Sequence, residues 1–209
     1  MLDTHSHGTV SKESLIMIFS ERSLALKILM AGSGVLMLLF LLAHMLGNTT
    51  IFAGSGGLNA YAKHIKDLGP LLWVQRVIML AVLVLHIFLG IVLTLENRQA
   101  RPEGYAVKKY RRSSISSRTM IYSGLIILAF IIYHLLHFTF LVTNPGVSHL
   151  VDEAGRHDVY SMVVLSFRNF FIFLAYAVAL FVLFLHLNHG AASLFQTMGL
   201  NNDRLLPKT

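Results

Sequence analysis

The chain of 209 residues is expected to fold as an all-α bundle of membrane-spanning helices. Hydrophobic residues make up 55% of the sequence and charged residues only 13%, and the mean hydropathy is +0.66. Because soluble domains contain about 25% charged residues, this composition indicates a membrane protein. Four long apolar stretches account for it, each close to the roughly 20 residues that a helix needs to cross a bilayer.

Each predicted span is an apolar run with few polar side chains. In chain order the spans cover residues 26–48, 73–95, 119–142 and 169–191. The segment HDVYSMVVLSFR at 157–168 is either a short interfacial helix or extra length on the fourth span. Residues 1–23 form an N-terminal arm without the pattern of a cleavable signal peptide, and 201–209 form a C-terminal tail. No internal repeat, low-complexity tract or separate soluble domain is evident.

The distribution of basic residues predicts the orientation. The segment 96–118, between the second and third spans, holds seven arginines and lysines against two glutamates, so we expect it on the cytoplasmic side. The segment 143–166 holds three acidic residues against Arg156 alone and is expected on the opposite side, which puts both termini in the cytoplasm. The net charge of +7 therefore reflects membrane topology, and nucleic acid is not an expected partner.

Several function classes are excluded by what the sequence lacks. Without cysteine there are no disulfides, no thiolate-bound iron–sulfur clusters and no C-x-x-C-H haem attachment. No nucleophile constellation, Walker loop or dinucleotide fingerprint is present, so no catalytic residue is assigned. The sequence thus favours a chain that holds a cofactor by side chains other than cysteine.

Every predicted span carries histidine, although ionisable side chains are rare in membrane spans and by default mark a functional site. These histidines are His44, His86, His134 with His137, and His186 with His189. Counting 1.5 Å per residue from each span midpoint places His44 and His134 on the outer side and His86 and His186 on the inner side. Two histidines at one depth on different helices are what a b-type haem needs. The depth of His137 matches that of His44 as well as the depth of His134 does.

Small and basic residues near these histidines are further candidates for the cofactor site. Gly47, Gly90 and Gly190 follow a histidine by three or four positions, where a missing side chain leaves room for a macrocycle. Arg76 and Arg168 lie near the outer ends of the second and fourth spans, where an arginine either reaches the interface or pairs with a haem propionate. A quinone has five candidate contacts, which are Lys63, His64, Arg76, His137 and His189.

Three other interpretations use the same residues. The histidines could bond helices together without any cofactor, as an anchor or transporter requires. A methionine in a span, such as Met30, Met37 or Met79, could replace one histidine as a haem ligand, although methionine is more often packing filler. Metal or proton transport is disfavoured because the apolar cores of the spans contain no aspartate or glutamate.

The local sequences around the four histidines resemble a known family. They read FLLAHMLGN at 40–48, LVLHIFLGIVLTLENRQA at 83–100, SGLIILAFIIYHLLHFTF at 123–140 and LFLHLNHGAASLFQTMG at 183–199. Together, over about residues 24–200, they are similar to the di-haem b558-type cytochrome b subunit of bacterial succinate dehydrogenases and fumarate reductases. The resemblance implies that 24–200 is a di-haem cytochrome b domain in the bacterial cytoplasmic membrane.

The resemblance also implies ligands, cofactors and partners. His44 and His134 would ligate the outer haem b, in preference to His137, and His86 and His186 the inner one. A flavoprotein with FAD and an iron–sulfur subunit would dock on the cytoplasmic face and oxidise succinate, which never touches this chain. Electrons would be exchanged with a quinone, menaquinone rather than ubiquinone. The alternative within respiratory proteins is the cytochrome b anchor of a hydrogenase or formate dehydrogenase.

The chain departs from the family pattern at two places. Relatives usually continue into a fifth membrane helix after the stretch that matches FQTMGL, so a fifth helix either follows position 209 or is missing. Some fumarate reductases carry an acidic residue of a proposed proton path two positions before the fourth-span ligand, where this chain has Phe184.

Overall fold

A computed structural model describes residues 12–99 and 119–199. The described residues form helices and no strand, apart from one isolated bridge between Val151 and His157. The helices are α1 (Lys12–Asn48), a 3-10 helix (Thr49–Ala53), α2 (Gly54–Asp67), α3 (Pro70–Gln99), α4 (Met120–Phe138), α5 (Pro145–Ser148), α6 (Val159–Phe167) and α7 (Phe170–Thr197). The predictions for residues 1–11, for most of the basic segment 96–118 and for the tail lie outside this part of the chain.

Four of these helices, α1, α3, α4 and α7, are long and apolar enough to cross a membrane, which confirms the all-α transmembrane bundle. They alternate in direction along the chain. Contacts join α1 to α3, α3 to α4, α4 to α7 and α7 back to α1, so the helices form a closed ring of four. As a result α1 lies diagonally opposite α4, and α3 lies diagonally opposite α7. Their outward faces expose many large apolar side chains, as lipid contact requires.

One end of the bundle is covered by short helices, and we call it the capped end. It comprises residues 49–69 and 139–169, which connect α1 to α3 and α4 to α7. At the opposite end Arg22 of α1 forms an ion pair of 3.2 Å with Glu96 of α3. We call this end the Arg22 end.

Asn59 of α2 joins the two segments of the capped end by hydrogen bonds. Its side chain is fully buried and donates to Asp152 at 3.1 Å and to Asp158 at 3.0 Å, while its oxygen accepts from the backbone N–H of Tyr160 at 2.9 Å. Arg156 pairs with Asp152 at 2.8 Å. Burial works to raise the pKa of both aspartates, but the hydrogen bonds, with the positive charge of Arg156 beside Asp152, hold each pKa below its ordinary value. The cap is therefore built around ionised carboxylates.

Two helix boundaries differ from those of the predicted segments. The arm predicted over 1–23 is already helical from Lys12. The third span ends at Phe138, four residues early, because the N–H groups of Phe140 and Val142 turn back to carbonyls of the last helical turn while Leu141 adopts a positive φ of 61°.

The segment 157–168 forms a helix of its own, α6, and not a continuation of the fourth span. Asp158 caps the start of α6 by accepting from Ser161 N–H, and Asn169 caps the start of α7 by accepting from Phe171 and Ile172 N–H. The helix is thus interrupted between Phe167 and Phe170. Each cap supplies an acceptor for backbone N–H groups that have no partner at the start of a helix.

Candidate functional site

His44 and His134 meet across the bundle near its capped end. His44 projects from α1 and His134 from the diagonally opposite α4, and their ring centroids lie 5.8 Å apart with the ring planes at 87°. Aromatic rings surround the pair: Phe40 lies beside His44, and Phe130 and Phe138 lie beside His134, with centroid distances of 5.7 to 6.0 Å. The two histidines that the sequence places at one depth are therefore neighbours.

His86 and His186 form a second pair on the other diagonal. They project from α3 and α7, and their ring centroids lie 6.4 Å apart with the ring planes at 57°. Among the described residues neither ring has another aromatic neighbour, so the surroundings of this pair are aliphatic and hydroxylic.

Two serines orient the rings of the His86–His186 pair. Ser33 of α1 lies 3.0 Å from Nδ1 of His86, and Ser123 of α4 lies 3.0 Å from Nδ1 of His186. Each serine hydroxyl donates to the carbonyl three residues earlier in its own helix, at 2.9 Å. Its oxygen is thus left to accept from the histidine, which puts the ring proton on Nδ1 and leaves the lone pair of Nε2 available.

A glycine lies beside each histidine at this contact. A Cβ at Gly34 would lie 3.5 Å from Cε1 of His86, and one at Gly124 would lie 3.6 Å from Cε1 of His186. Each Ser–Gly dipeptide therefore lies against the edge of one histidine ring, at a distance where a methyl group would be in ordinary van der Waals contact.

The two pairs are related by an internal repeat, so the expectation from the sequence that the chain has none is wrong. Ser33 and Gly34 precede His44 by eleven and ten residues, and Ser123 and Gly124 precede His134 by the same intervals. The partner helices repeat H-x-x-x-G at His86 and at His186. Each pair thus joins equivalent positions of the two halves. Because Ser33 lies level with His86, the pairs are separated by about 16 Å along the bundle at 1.5 Å per residue.

His137 does not take part in either pair. It is fully buried, with Nδ1 lying 3.1 Å from the Tyr176 hydroxyl and Nε2 lying 3.1 Å from the Ser166 hydroxyl. Both ring nitrogens are therefore occupied by hydrogen bonds. His134 and His137 match the depth of His44 equally well by spacing, whereas the structure brings only His134 to His44.

The predicted glycines lie in three different surroundings. The position of a Cβ at Gly47 is already filled by the hydroxyl end of the Tyr61 side chain. A Cβ at Gly90 would lie 3.6 Å from the Met30 methyl, and no side chain of the described residues lies within 4 Å of the Cβ position at Gly190. Gly47 thus serves the packing of α2 on α1, while room for a cofactor beside Gly90 and Gly190 stays a prediction.

Two of the predicted basic residues, Arg76 and Arg168, are exposed at the ends of their helices, whereas His189 lies near a paired histidine. Arg76 is exposed and its guanidinium lies over the Trp73 ring, 5.0 Å from the centroid. Arg168 is exposed at the junction of α6 and α7, and His189 is half-buried one turn beyond His186. Their contact with a propionate or quinone stays a prediction.

Both pairs fit the ligation of a haem iron. Two imidazole nitrogens that bind one metal from opposite sides, each at about 2 Å, put their ring centroids about 6 Å apart. The observed 5.8 Å and 6.4 Å agree with this geometry. Two protein donors suffice for such an iron, because the porphyrin supplies the other four.

Comparisons of the chain with protein-family models, with curated proteins and with solved structures found no significant match.

Proposed function

We propose that the chain is the membrane anchor and electron-transfer subunit of a bacterial succinate:quinone oxidoreductase, with two haem b groups between its iron–sulfur partner and the membrane quinone. The observation that carries the proposal is the pairing of four intramembrane histidines at centroid distances of 5.8 Å and 6.4 Å. A histidine that only joins helices can use both ring nitrogens for hydrogen bonds, as His137 does. Among the described residues the paired histidines form hydrogen bonds through Nδ1 alone or not at all, so each Nε2 is left for a ligand between the two rings.

The residues of the chain hold the haems in place and set their surroundings, while haem supplies one-electron redox chemistry. His44 and His134 would hold one haem near the capped end, and His86 and His186 the other about 16 Å further along the bundle. Ser33 and Ser123 fix the tautomer that presents Nε2.

The positive-inside bias supports a direction for the assembly. The basic segment 96–118 follows α3 at the Arg22 end, so this end would lie at the cytoplasmic face of the bacterial inner membrane. The flavoprotein and the iron–sulfur subunit would then dock beside the His86–His186 pair. The quinone, menaquinone in preference to ubiquinone, would react nearer the His44–His134 pair. The sequence resemblance to di-haem b558 subunits supports the same order.

The test is to purify the tagged full-length chain from native membranes and identify the subunits that accompany it. We expect an FAD-containing subunit and an iron–sulfur subunit, and succinate-dependent reduction of a menaquinone analogue that His86→Ala abolishes. His149→Ala, which changes an exposed histidine outside both pairs and outside the candidate quinone contacts, serves as the matched control and keeps the activity. Co-purification of hydrogenase or formate dehydrogenase subunits would contradict the proposal and would support a cytochrome b anchor of that enzyme.

A further inference from the structure

The Tyr176 hydroxyl lies between two histidines of α4. Its oxygen is 3.1 Å from Nδ1 of His137 and 3.4 Å from Nδ1 of His134. The Tyr176 side chain is buried, and Phe130 and Phe167 both pack against it edge-on at centroid distances of 4.9 Å. The ring is therefore held firmly while its hydroxyl reaches a member of the His44–His134 pair.

His137 is itself fixed from the capped end. Its Nε2 lies 3.1 Å from the Ser166 hydroxyl, and the Asn144 side chain donates to the same oxygen at 3.1 Å. His137 and Ser166 are fully buried, and the His137 ring stacks on Phe138 with a centroid distance of 4.0 Å. A continuous hydrogen-bonded chain thus runs from His134 to the loop before α5.

We propose that Tyr176, held by His137 and Ser166, is a positioning residue for His134 that sets the donor strength of this ligand. The inference rests on the proposed haem function. When Nε2 of a neutral histidine binds iron, its proton is on Nδ1, and here that N–H donates to the Tyr176 oxygen. The Tyr176 hydroxyl then donates to Nδ1 of His137, whose Nε2–H donates to Ser166.

This series of hydrogen bonds makes the two haem sites chemically different. At the His86–His186 pair both ligands donate to serines of a neighbouring helix. At the other pair only His134 donates from Nδ1, because within the described residues the His44 ring has aromatic contacts and no hydrogen bond. Hydrogen bonds from Nδ1 raise the basicity of a ligand histidine and so favour the oxidised iron. Loss of the Tyr176 hydroxyl should therefore raise the midpoint potential of one haem only.

The test compares Tyr176→Phe with Tyr133→Phe in the purified full complex. Tyr133 is the matched control, because its ring lies 5.9 Å from that of Tyr176 but its hydroxyl forms no hydrogen bond with the described residues. After haem content is measured, each variant is titrated potentiometrically and examined by electron paramagnetic resonance. We expect Tyr176→Phe to raise the potential and alter the low-spin signal of the His44–His134 haem alone, and Tyr133→Phe to change neither.

Each outcome decides the matter. An unchanged or lowered potential at the His44–His134 haem, equal shifts at both haems, or the same shift in Tyr133→Phe would overturn the inference. If Tyr176→Phe does not assemble, Ser166→Ala is measured, for which we expect a smaller rise at the same haem, and an unchanged potential overturns the inference. A wild-type complex without haem would instead defeat the proposed function, which separates the two failures.

Discussion

His44 and His134, 90 positions apart in sequence, face each other with ring centroids 5.8 Å apart and ring planes nearly perpendicular at 87°. The His86–His186 planes meet at 57°. Because the relative orientation of two axial imidazoles sets the splitting of the iron d-orbitals, we expect two distinct low-spin ferric signals in electron paramagnetic resonance. The more anisotropic signal should belong to the His44–His134 haem, and a single signal that accounts for both haems would contradict this assignment.

Replacement of one ligand should remove one haem. His86→Ala or His186→Ala deletes a donor from one diagonal and leaves the His44–His134 pair, about 16 Å away along the bundle, untouched. Haem extraction and redox spectra of membranes carrying each variant should therefore show about half of the wild-type haem. His64→Ala should retain all of it. Loss of both haems from either single variant would contradict two separate pairs.

Removal of a serine hydroxyl should weaken one site without abolishing it. Partners that orient a ligand histidine typically contribute about tenfold to a hundredfold in metal affinity. We expect Ser33→Ala and Ser123→Ala each to lose haem faster from the His86–His186 site when a competing apoprotein is present. Ser193→Ala, at an exposed position of α7, is the control. Equal loss from both sites would show that the serines have no specific role.

Gly47 and Tyr61 should be energetically coupled. A Cβ at position 47 would overlap the Tyr61 side chain, so Gly47→Ala must displace that ring, at a cost of about 1–3 kcal/mol in the free energy of unfolding. With Tyr61→Ala the cost of Gly47→Ala should largely disappear, giving a non-additive double-mutant cycle. The measurement is chemical unfolding in detergent, and additive effects of the two substitutions would refute the contact.

Asn59 and its carboxylate partners should make the cap sensitive to acid. Asn59→Ala leaves the backbone N–H of Tyr160 without its acceptor and removes one hydrogen bond from each of Asp152 and Asp158, for which we expect about 2–3 kcal/mol of destabilisation. In the folded chain the pKa values of Asp152 and Asp158 lie below their ordinary value of 3.8. Their contribution to stability is therefore complete above pH 3.8 and declines as the pH falls through the folded pKa values.

Limited proteolysis of residues 139–169 at graded pH measures this effect. We expect cleavage of the wild-type cap to accelerate only below about pH 4, where the carboxylates begin to be protonated. Asn59→Ala should be cleaved readily at neutral pH as well. A cap that becomes more resistant as the pH falls below this value would contradict the role of the two aspartates.

The spans and the histidine depths could be predicted because they depend on local properties. Hydropathy over about 20 residues gives the helices, and a rise of 1.5 Å per residue gives the depth of each side chain. These two numbers, together with the alternating direction of the spans, place His86 and His186 at one depth. The choice between His134 and His137 does not follow from them, because it depends on Tyr176 and Ser166, which belong to other helices.

The capping and orienting residues were harder to predict. Ser33 and Ser123 look like ordinary small residues of a membrane helix until the matched intervals to His44 and His134 are noticed, and that repeat is the signal that could have identified them. Asn59 gives no such signal, since its partners come from about 93 to 101 positions later in the chain. Long-range contacts of this kind arise only when the helices have packed.

The most direct measurement is the number of haem b groups per chain in the purified protein, by pyridine haemochrome spectroscopy against quantitative protein determination. Four paired histidines predict two haems per chain, with a reduced-minus-oxidised α-band of the b type. Absence of that band, or a purified chain that binds no haem when haem is supplied, would contradict the account.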